Sequence, residues 1–583
     1  MKPVLGCGLG AVLFALSVCG PTALRAQSPT YEVKRDFGVR IPMRDGVGLA
    51  ANVFRPDAEG KFPVILVRTP YDAAQPTYSS AGAYWASHGY IYVIEDVRGR
   101  GGSEGKFYPL VDDAVDGDDS VTWCGTQPWS TGKVGMLGPS YLGWVQGYAA
   151  GMHNPHLAAL IPTVTPPDPY RNFPVQFGVM QLATSSWMAF ISGKTLQDIN
   201  QFDLLKADAH LPIVDIDHEL GRTMQPWRDW LNHPTNDDYW KKQAYQEKML
   251  DSTTPALNVS GWYDDVFVGT TENYINMTTH AHSAAGRDQQ WLLIGPWGHA
   301  TNAGRVLGQI DFGPTAVIDF LGVELRWFDH WLKKIDNGVE KDPHVRIFLM
   351  GENAWHTENE WPIARTQYVK YYLHSTGRGA NSLFGTGTLS PQTPAAEMQD
   401  HYRYDPNDPA PFITPADFHQ TGGPDDYRSV ERRDDVLVYT AAPVEQPTEV
   451  CGPLDVKLFA ASSARDTDWT VKVLDVHPDG FAQRLNDGIV RGRFRESQEK
   501  EDLLVPGKVY EYTISAWSTC VQLQKGHQLR LEISSSAFPK FARNMNKGGN
   551  DATETQGIVA EQTIYHDASH PSYLLVPIVP PAK

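Results

Sequence analysis

The sequence predicts an α/β fold followed by a β-rich region, and three observations predict it. Between about residues 31 and 165, apolar runs such as Val64-Ile65-Leu66-Val67 and Tyr90-Ile91-Tyr92-Val93-Ile94 alternate with helix-like stretches. Continuous runs of this kind suit parallel strands buried on both faces. A serine flanked by glycines, in Gly135-Met136-Leu137-Gly138-Pro139-Ser140-Tyr141-Leu142-Gly143, follows a strand-like segment and precedes a helix-like run from Leu142 to Ala150. After about residue 345 the pattern becomes mostly a period of two: Tyr510, Tyr512, Ile514 and Ala516 alternate with Glu511, Thr513 and Ser515.

Each element follows in order. Arg44-Asp45-Gly46 marks a hairpin turn between two early strands. Ser80 to His88 suits a crossover helix, and Leu157 to Ile161 another strand. The acidic run Asp112 to Asp119 caps and begins a helix, because it lacks the spacing and closing glutamate of a calcium loop. Residues 170–248 hold Met, Trp, Leu and charges in helical patterns, as in Trp227 to Trp230 and Asp238 to Met249. They form a helical cap inserted into the α/β core. Val456, Leu458 and Ala460 alternate again, and turns such as Pro478-Asp479-Gly480 and Lys525-Gly526 separate short strands, as in a sandwich. Gly377 to Pro415, rich in Gly, Pro, Ser, Thr and Asp, reads as long loops.

A serine at a strand-to-helix turn between small residues is how an α/β-hydrolase exposes a nucleophilic hydroxyl. The second glycine sits one place late, with Leu142 in its usual slot. Such a fold supplies its triad in the order Ser, Asp, His. After Ser140 comes Ala256-Leu257-Asn258-Val259-Ser260-Gly261-Trp262-Tyr263-Asp264-Asp265, a strand ending in an acidic turn. Trp291-Leu292-Leu293-Ile294-Gly295-Pro296-Trp297-Gly298-His299 is a strand ending in a loop with a histidine. Catalytic groups gather in loops at the C-terminal ends of parallel strands, where all of these lie. Either Asp264 or Asp265 could be the acid. Neighbours on a loop point differently, so one of them should reach the imidazole. His280 and His282 read as surface or packing residues, and His218 and His477 carry no partner pattern.

At 583 residues the chain holds two or three domains. Its 41% hydrophobic and 20% charged residues fit a globular protein, and 17 Trp and 25 Tyr suit deep cores and aromatic-walled pockets. The formal charge of −18 argues against a nucleic-acid partner, whose phosphates it would repel. Lys2, the apolar stretch Val4 to Val18 and the small-residue site Ala23-Leu24-Arg25-Ala26 read as an export signal, predicting a secreted or periplasmic protein. The apolar run is too short and glycine-broken for a membrane span, so no stable membrane insertion is expected. Leu16-Ser17-Val18-Cys19 faintly matches a lipoprotein site, but Val18 is larger than such sites prefer. Cleavage leaves Cys124, Cys451 and Cys520. Export permits a disulfide, and Cys451 and Cys520 share one β-rich region, yet buried free thiols are the more common outcome for scattered cysteines. No metal-ligand spacing or phosphate loop is evident, so no cofactor is expected. A homo-oligomer is compatible with the chain.

These residues resemble the CocE/NonD hydrolases, grouped with the Xaa-Pro dipeptidyl peptidases (S15). The likeness covers nearly the whole mature chain. Asp96-Val97-Arg98-Gly99-Arg100-Gly101-Gly102-Ser103-Glu104-Gly105 resembles the family's DVRGRGxSEG segment, and the serine segment its G-x-S-Y-x-G pattern. Gly261 to Asp264 and Gly295 to His299 resemble its acid and histidine segments. Gly526 to Ser536 and Tyr565-His566-Asp567 resemble its jelly-roll signatures. The resemblance implies an α/β-hydrolase core with a helical cap insertion and a C-terminal β jelly-roll domain. The expected division is signal peptide 1–26, core 27–169, cap 170–248, core 249–345 and jelly roll 346–583.

The resemblance also implies roles: Ser140 as nucleophile, His299 as general base and then acid, Asp264 as its partner. Thr69-Pro70-Tyr71-Asp72 matches the segment whose tyrosine hydroxyl donates to the oxyanion, with the Tyr141 backbone N–H as second donor. Asp168, in a general family segment, is expected to line the substrate pocket, while Trp144, Trp187 and Phe267 would wall it. The expected substrate is a small-molecule ester or amide. An α-amino-acid ester hydrolase or β-lactam acylase is the nearest alternative, although Asp265-Val266-Phe267 departs from the Glu-Asp pair those enzymes carry after the triad acid. A Xaa-Pro dipeptidyl peptidase is disfavoured, since only about a hundred mature residues precede Ser140. A binding protein with a dead core and a jelly-roll binding module is the alternative of another class; the intact Ser, Asp, His and Tyr set argues against it.

Overall fold

A computed structural model describes residues 29–377, 380–381, 385–414 and 422–581. The export segment lies outside the described residues. A ten-stranded sheet forms the first layer. Its centre is parallel: Ile91–Asp96, Phe62–Thr69, Ser130–Pro139, Leu157–Thr163, Ala256–Gly261, Gln290–Gly295 and Val345–Leu349 lie side by side in that order. The central strands are buried along nearly their whole length, which is why their sequences are unbroken apolar runs. Val33–Pro42 and Gly48–Pro56 form an antiparallel hairpin at one edge, turned by Arg44-Asp45-Gly46 as expected.

Helices join the parallel strands. Pro76–Ser87 carries its proline at the start, where a missing N–H costs nothing. Asp113–Thr126 begins at the acidic run, but Asp112 makes no side-chain cap bond. Asp116 instead pairs with Arg98, and Asp118 and Asp119 with Arg44. The acidic run thus ties the helix to the early hairpin rather than capping it.

The sheet does not end at residue 345. Val345–Leu349 adds in parallel to Gln290–Gly295, and Ala354–Glu358 closes the edge antiparallel to it. The physical reason is burial: Val345, Ile347, Phe348 and Leu349 are almost fully enclosed against the core. These strands complete the α/β layer before the β domain begins at Gln367–His374.

The cap consists of short helices, chiefly Ala183–Ile191, Leu204–Asp208, Gln225–Asn232 and Asp238–Gln243. Asp238 to Met249 is therefore not one helix: it breaks after Gln243, and a 3-10 turn follows at Lys248–Asp251. The cap has its own apolar cluster around Met188, Trp227, Trp230 and Trp240, closed on one side by Ala542 and Ala552 of the β domain.

In the C-terminal part, eleven strands form one hydrogen-bonded network. Thr448–Ser462 pairs along Tyr510–Leu523, and inward Val456, Leu458, Tyr512 and Ile514 alternate with more exposed residues. Gly377 to Pro415 is not all loop, because Thr388–Ser390 and Asp400–Tyr404 join the network. Cys451 and Cys520 are direct cross-strand partners and form a disulfide, so the expectation of free thiols holds only for buried Cys124. One apolar cluster runs from Trp262, Phe267, Ile294 and Phe348 into Val456, Ile514 and Leu531. It fixes the β domain against the strands that carry the acid and histidine loops. Among the described residues, no helix is long and apolar enough to cross a membrane.

Candidate active site

Ser140 sits between the strand Ser130–Pro139 and the helix Tyr141–Ala150, at φ 60° and ψ −125°. Such strain in a non-glycine residue exposes the hydroxyl at the turn. The turn is pinned to the next strand, because the Ser140 N–H donates to the Thr163 carbonyl at 2.9 Å. The displaced glycine has a steric explanation. A Cβ on Gly143 would lie 2.9 Å from the Thr163 oxygen and 2.9 Å from Thr165 Cβ. Gly138 is needed too, at φ +136° with its missing Cβ 2.6 Å from that of Leu142.

His299, after the strand Gln290–Gly295, directs Nδ1 to Asp264 Oδ1 at 2.8 Å. Asp264 is buried, and its Oδ2 accepts the Ser260 hydroxyl at 2.8 Å. Asp265 also approaches: its Oδ1 lies 3.2 Å from the same Nδ1. The expectation that one acid alone reaches the imidazole is corrected, since the turn brings both to one face. They are not equivalent, because the hydrogen bond runs to Asp264 while Asp265 Oδ1 is buried without one. Burial disfavours the His299 imidazolium, but the Asp265 and Asp264 carboxylates outweigh it and hold its pKa well above the usual histidine range. Burial pushes Asp264 up. Burial acts against ionised Asp265 too, yet His299, Asp264 and the Lys540 ammonium hold it below its ordinary value.

Tyr71 follows the strand Phe62–Thr69. Its hydroxyl oxygen accepts the Trp187 indole N–H at 3.1 Å. Burial raises its pKa to about 12, and Trp187 and Ser140 are its hydroxyl's neighbours. The loop is buttressed by a residue whose role the sequence did not single out. The buried Arg100 guanidinium donates to the Pro70 carbonyl at 2.8 Å and to the Ile191 carbonyl of the cap at 2.7 Å. The Tyr141 side chain points away, hydrogen-bonded to Asp113 at 2.5 Å. Its backbone N–H lies in the first helical turn, where no intrahelical carbonyl is available to it.

Ser140, Tyr71, Asp265 and His299 share one cavity of about 600 Å³. Trp144 and Trp187 wall it as expected, joined by Leu142, Phe173 and Phe190. Val306 and Leu307 close another side from a small hairpin, Val306–Leu307 with Ile310–Asp311. A turn signal at Gly308, between Val306-Leu307 and Ile310, could have disclosed it. Two expected pocket residues are elsewhere. Phe267 is fully buried, edge-on to Trp262 in the interdomain core, because it opens the helix behind the acid loop. Asp168 is not among the lining residues; its Oδ1 accepts the N–H groups of Tyr170 and Arg171, so it shapes its own turn.

Residues 45–301 match the family model described as X-Pro dipeptidyl-peptidase (S15 family). Residues 337–575 match the X-Pro dipeptidyl-peptidase C-terminal non-catalytic domain. The chain is 37% identical to the cocaine esterase of Rhodococcus sp. (strain MB1 Bresler) over 572 residues, covering 93% of this chain and 98% of that protein. Two solved structures are similar at 25% identity. An aminopeptidase from a marine sediment Thaumarchaeota archaeon has a TM-score of 0.82, with 96% of this chain and 99% of that one covered. An α-amino acid ester hydrolase has a TM-score of 0.79, with 97% and 100% covered. With an α/β sheet, a cap, a β domain and this likeness along nearly its full length, the chain belongs to the CocE/NonD hydrolases of the S15 group.

Proposed function

We propose that this protein is a serine hydrolase that cleaves carboxylic ester or amide bonds of small molecules through an acyl-enzyme on Ser140. The observation that carries the reading is that His299, hydrogen-bonded to buried Asp264, lines one cavity with Ser140 at its strained turn. In this reading His299 Nε2 takes the Ser140 proton as Oγ attacks the carbonyl carbon, and Asp264 supports the imidazolium that forms. The proton then passes to the leaving group, and water repeats the sequence to release the acid. The Tyr71 hydroxyl and the Tyr141 N–H stabilise the charged oxygen of the tetrahedral intermediate. Trp187 supports this role for Tyr71: by donating to the phenol oxygen it leaves the O–H proton free to point at the substrate.

The cavity is of small-molecule size, and its aromatic walls suit an apolar acyl or leaving group. One observation favours a second reading, an α-amino-acid ester hydrolase or β-lactam acylase: Asp265 presents a carboxylate at the cavity wall, where an ammonium would be drawn to it. A panel of simple esters, α-amino esters, glutaryl amides and Xaa-Pro amides separates the readings. Simple esters should turn over fastest; preference for α-amino esters would establish the second reading, and preference for Xaa-Pro amides would overturn both. We further propose export directed by residues 1–26, a reading that the Cys451–Cys520 disulfide supports. A mature protein retaining Met1 would refute it.

Tyr71→Phe tests the oxyanion donor. The ring and its packing remain, while one donor is lost. The oxygen carries full charge only in the transition state, so kcat should fall about 10²–10³-fold, or roughly 3–4 kcal/mol. KM should move little if chemistry limits turnover. Near-normal kcat in a steady-state assay would return Tyr71 to a packing role.

A further inference from the structure

Outside the active site, strand register assembles a second cluster of chemistry-bearing side chains. Asp468–Val476 pairs antiparallel with Gln528–Ser534, with Val476 opposite Gln528. The same register continued by one residue sets His477 opposite His527. Asp475 and His477 are two apart, so they point to one face of the strand. His527 is then the diagonal neighbour of Asp475. On the other side, Asp475 lies opposite Gln483. Four donors from three strands therefore meet at one end of the β domain.

The side chains meet as the register requires. His527 Nδ1 lies 2.8 Å and 3.0 Å from the two Asp475 oxygens. His477 Nε2 is 3.8 Å from Asp475 Oδ2 and 3.2 Å from Gln483 Oε1. The imidazole rings are 4.4 Å apart, and one ligand atom from each of Asp475, His477 and His527 lies within 4.8 Å of the others. Gln483 is oriented by its other end, since its Nε2 donates to the Tyr263 hydroxyl at 3.1 Å and leaves Oε1 toward His477. The backbone is held as well: His527 N–H donates to Gln524, and the Val444 N–H donates to the His527 carbonyl at 2.8 Å. Asp475 is buried, while the His477 side chain is 26% exposed, giving an ion a path in.

We propose that Asp475, His477 and His527, with Gln483 Oε1 as a further donor, bind a divalent transition-metal ion of the zinc class. Two imidazoles and a carboxylate suit such an ion better than calcium or magnesium, which take oxygen ligands. Tetrahedral zinc with bonds of about 2.0–2.1 Å spaces its donors about 3.4 Å apart, close to the separations between these atoms. Binding replaces the proton that His527 shares with Asp475, so the ion takes over an interaction already in place. Sequence spacing conceals the site, because His477 and His527 lie far apart in the chain and only register brings them together.

The test is zinc binding to the full chain, stripped with chelator, by calorimetry and elemental analysis after dialysis. Wild type should take up one equivalent. His477→Ala and His527→Ala should each weaken binding about 100-fold or more. Asp264, Asp265 and His299 form a rival cluster, so His299→Ala serves as the control and should bind zinc as wild type does. His477→Ala leaves the catalytic groups in place and should keep wild-type ester hydrolysis, which also reports that it folds. No uptake by wild type, undiminished uptake by folded His477→Ala, or loss that follows His299→Ala alone would each overturn the proposal.

Discussion

Ser140→Ala should lower kcat by about 10⁶-fold, or roughly 8 kcal/mol, the scale on which a serine-hydrolase nucleophile is missed. The protein should remain folded. The change removes one hydroxyl, and the backbone bonds of the turn, Ser140 N–H to Thr163 and Gly143 and Trp144 N–H to Ser140, need no side chain. Alanine meets the same φ of 60° that serine already tolerates. Mass spectrometry during turnover of a slow ester should show an acyl adduct on Ser140 in wild type and none in the variant. A fluorophosphonate should label the same residue. An adduct on another side chain, or a variant that still turns over, would sink the nucleophile assignment and with it the proposed mechanism.

The α/β core was legible because burial on both faces writes itself into composition. Phe62–Thr69 and Ile91–Asp96 have no outward face to alternate toward, so their apolar runs are continuous. The boundary at 345 was not legible for the converse reason. Val345–Leu349 carries Arg346 in mid-strand and is followed by the antiparallel Ala354–Glu358, so it reads like the β domain that follows. Its parallel partner Gln290–Gly295 lies about fifty residues earlier, a non-local pairing that local pattern does not record. Gly377 to Pro415 misled in the opposite direction: its strands are only three and five residues long, and although Thr388–Ser390 pairs with the nearby Gln367–His374, their other partners Leu437–Ala441 and Ala560–Tyr565 lie far along the chain.

The same limit divides the site residues. Ser140, His299 and the Asp264-Asp265 turn could be singled out because each follows a strand, and strand order predicts where strand ends meet; the family resemblance, not local pattern, favoured Asp264 over Asp265. Phe267 was placed by its nearness to the acidic turn and Asp168 by its general family segment. Neither fixes direction: Phe267 turns into the interdomain core, and Asp168 folds back onto its own loop amides. Arg100, Val306 and Leu307 were missed because their importance is tertiary, in tying the cap to the Tyr71 loop or in closing the cavity.

Asp264→Asn should lower kcat by about 10⁴-fold, because the residue then neither balances the imidazolium nor dictates its tautomer. The fold should tolerate the change. The amide oxygen can take the place of Oδ2 and keep the bond from the Ser260 hydroxyl, which turns the amide N–H groups toward His299 Nδ1 and leaves the ring proton on Nε2, where the base needs its lone pair. Asp265→Asn is the discriminating comparison, since its carboxylate lies only 3.2 Å from the same nitrogen without a hydrogen bond. It should cost less than about tenfold in kcat, the loss of an unaligned charge rather than of the tautomer-setting acceptor. Its clearer signature should be pH dependence. The base works when neutral, and the nearby carboxylates hold His299 above its ordinary pKa by favouring the charged form. Deleting the Asp265 charge lowers that pKa, so the acid limb of kcat/KM should move to lower pH. If Asp265→Asn produced the 10⁴-fold loss and Asp264→Asn the small one, the hydrogen bond to Asp264 would be structural and Asp265 the functional partner of His299.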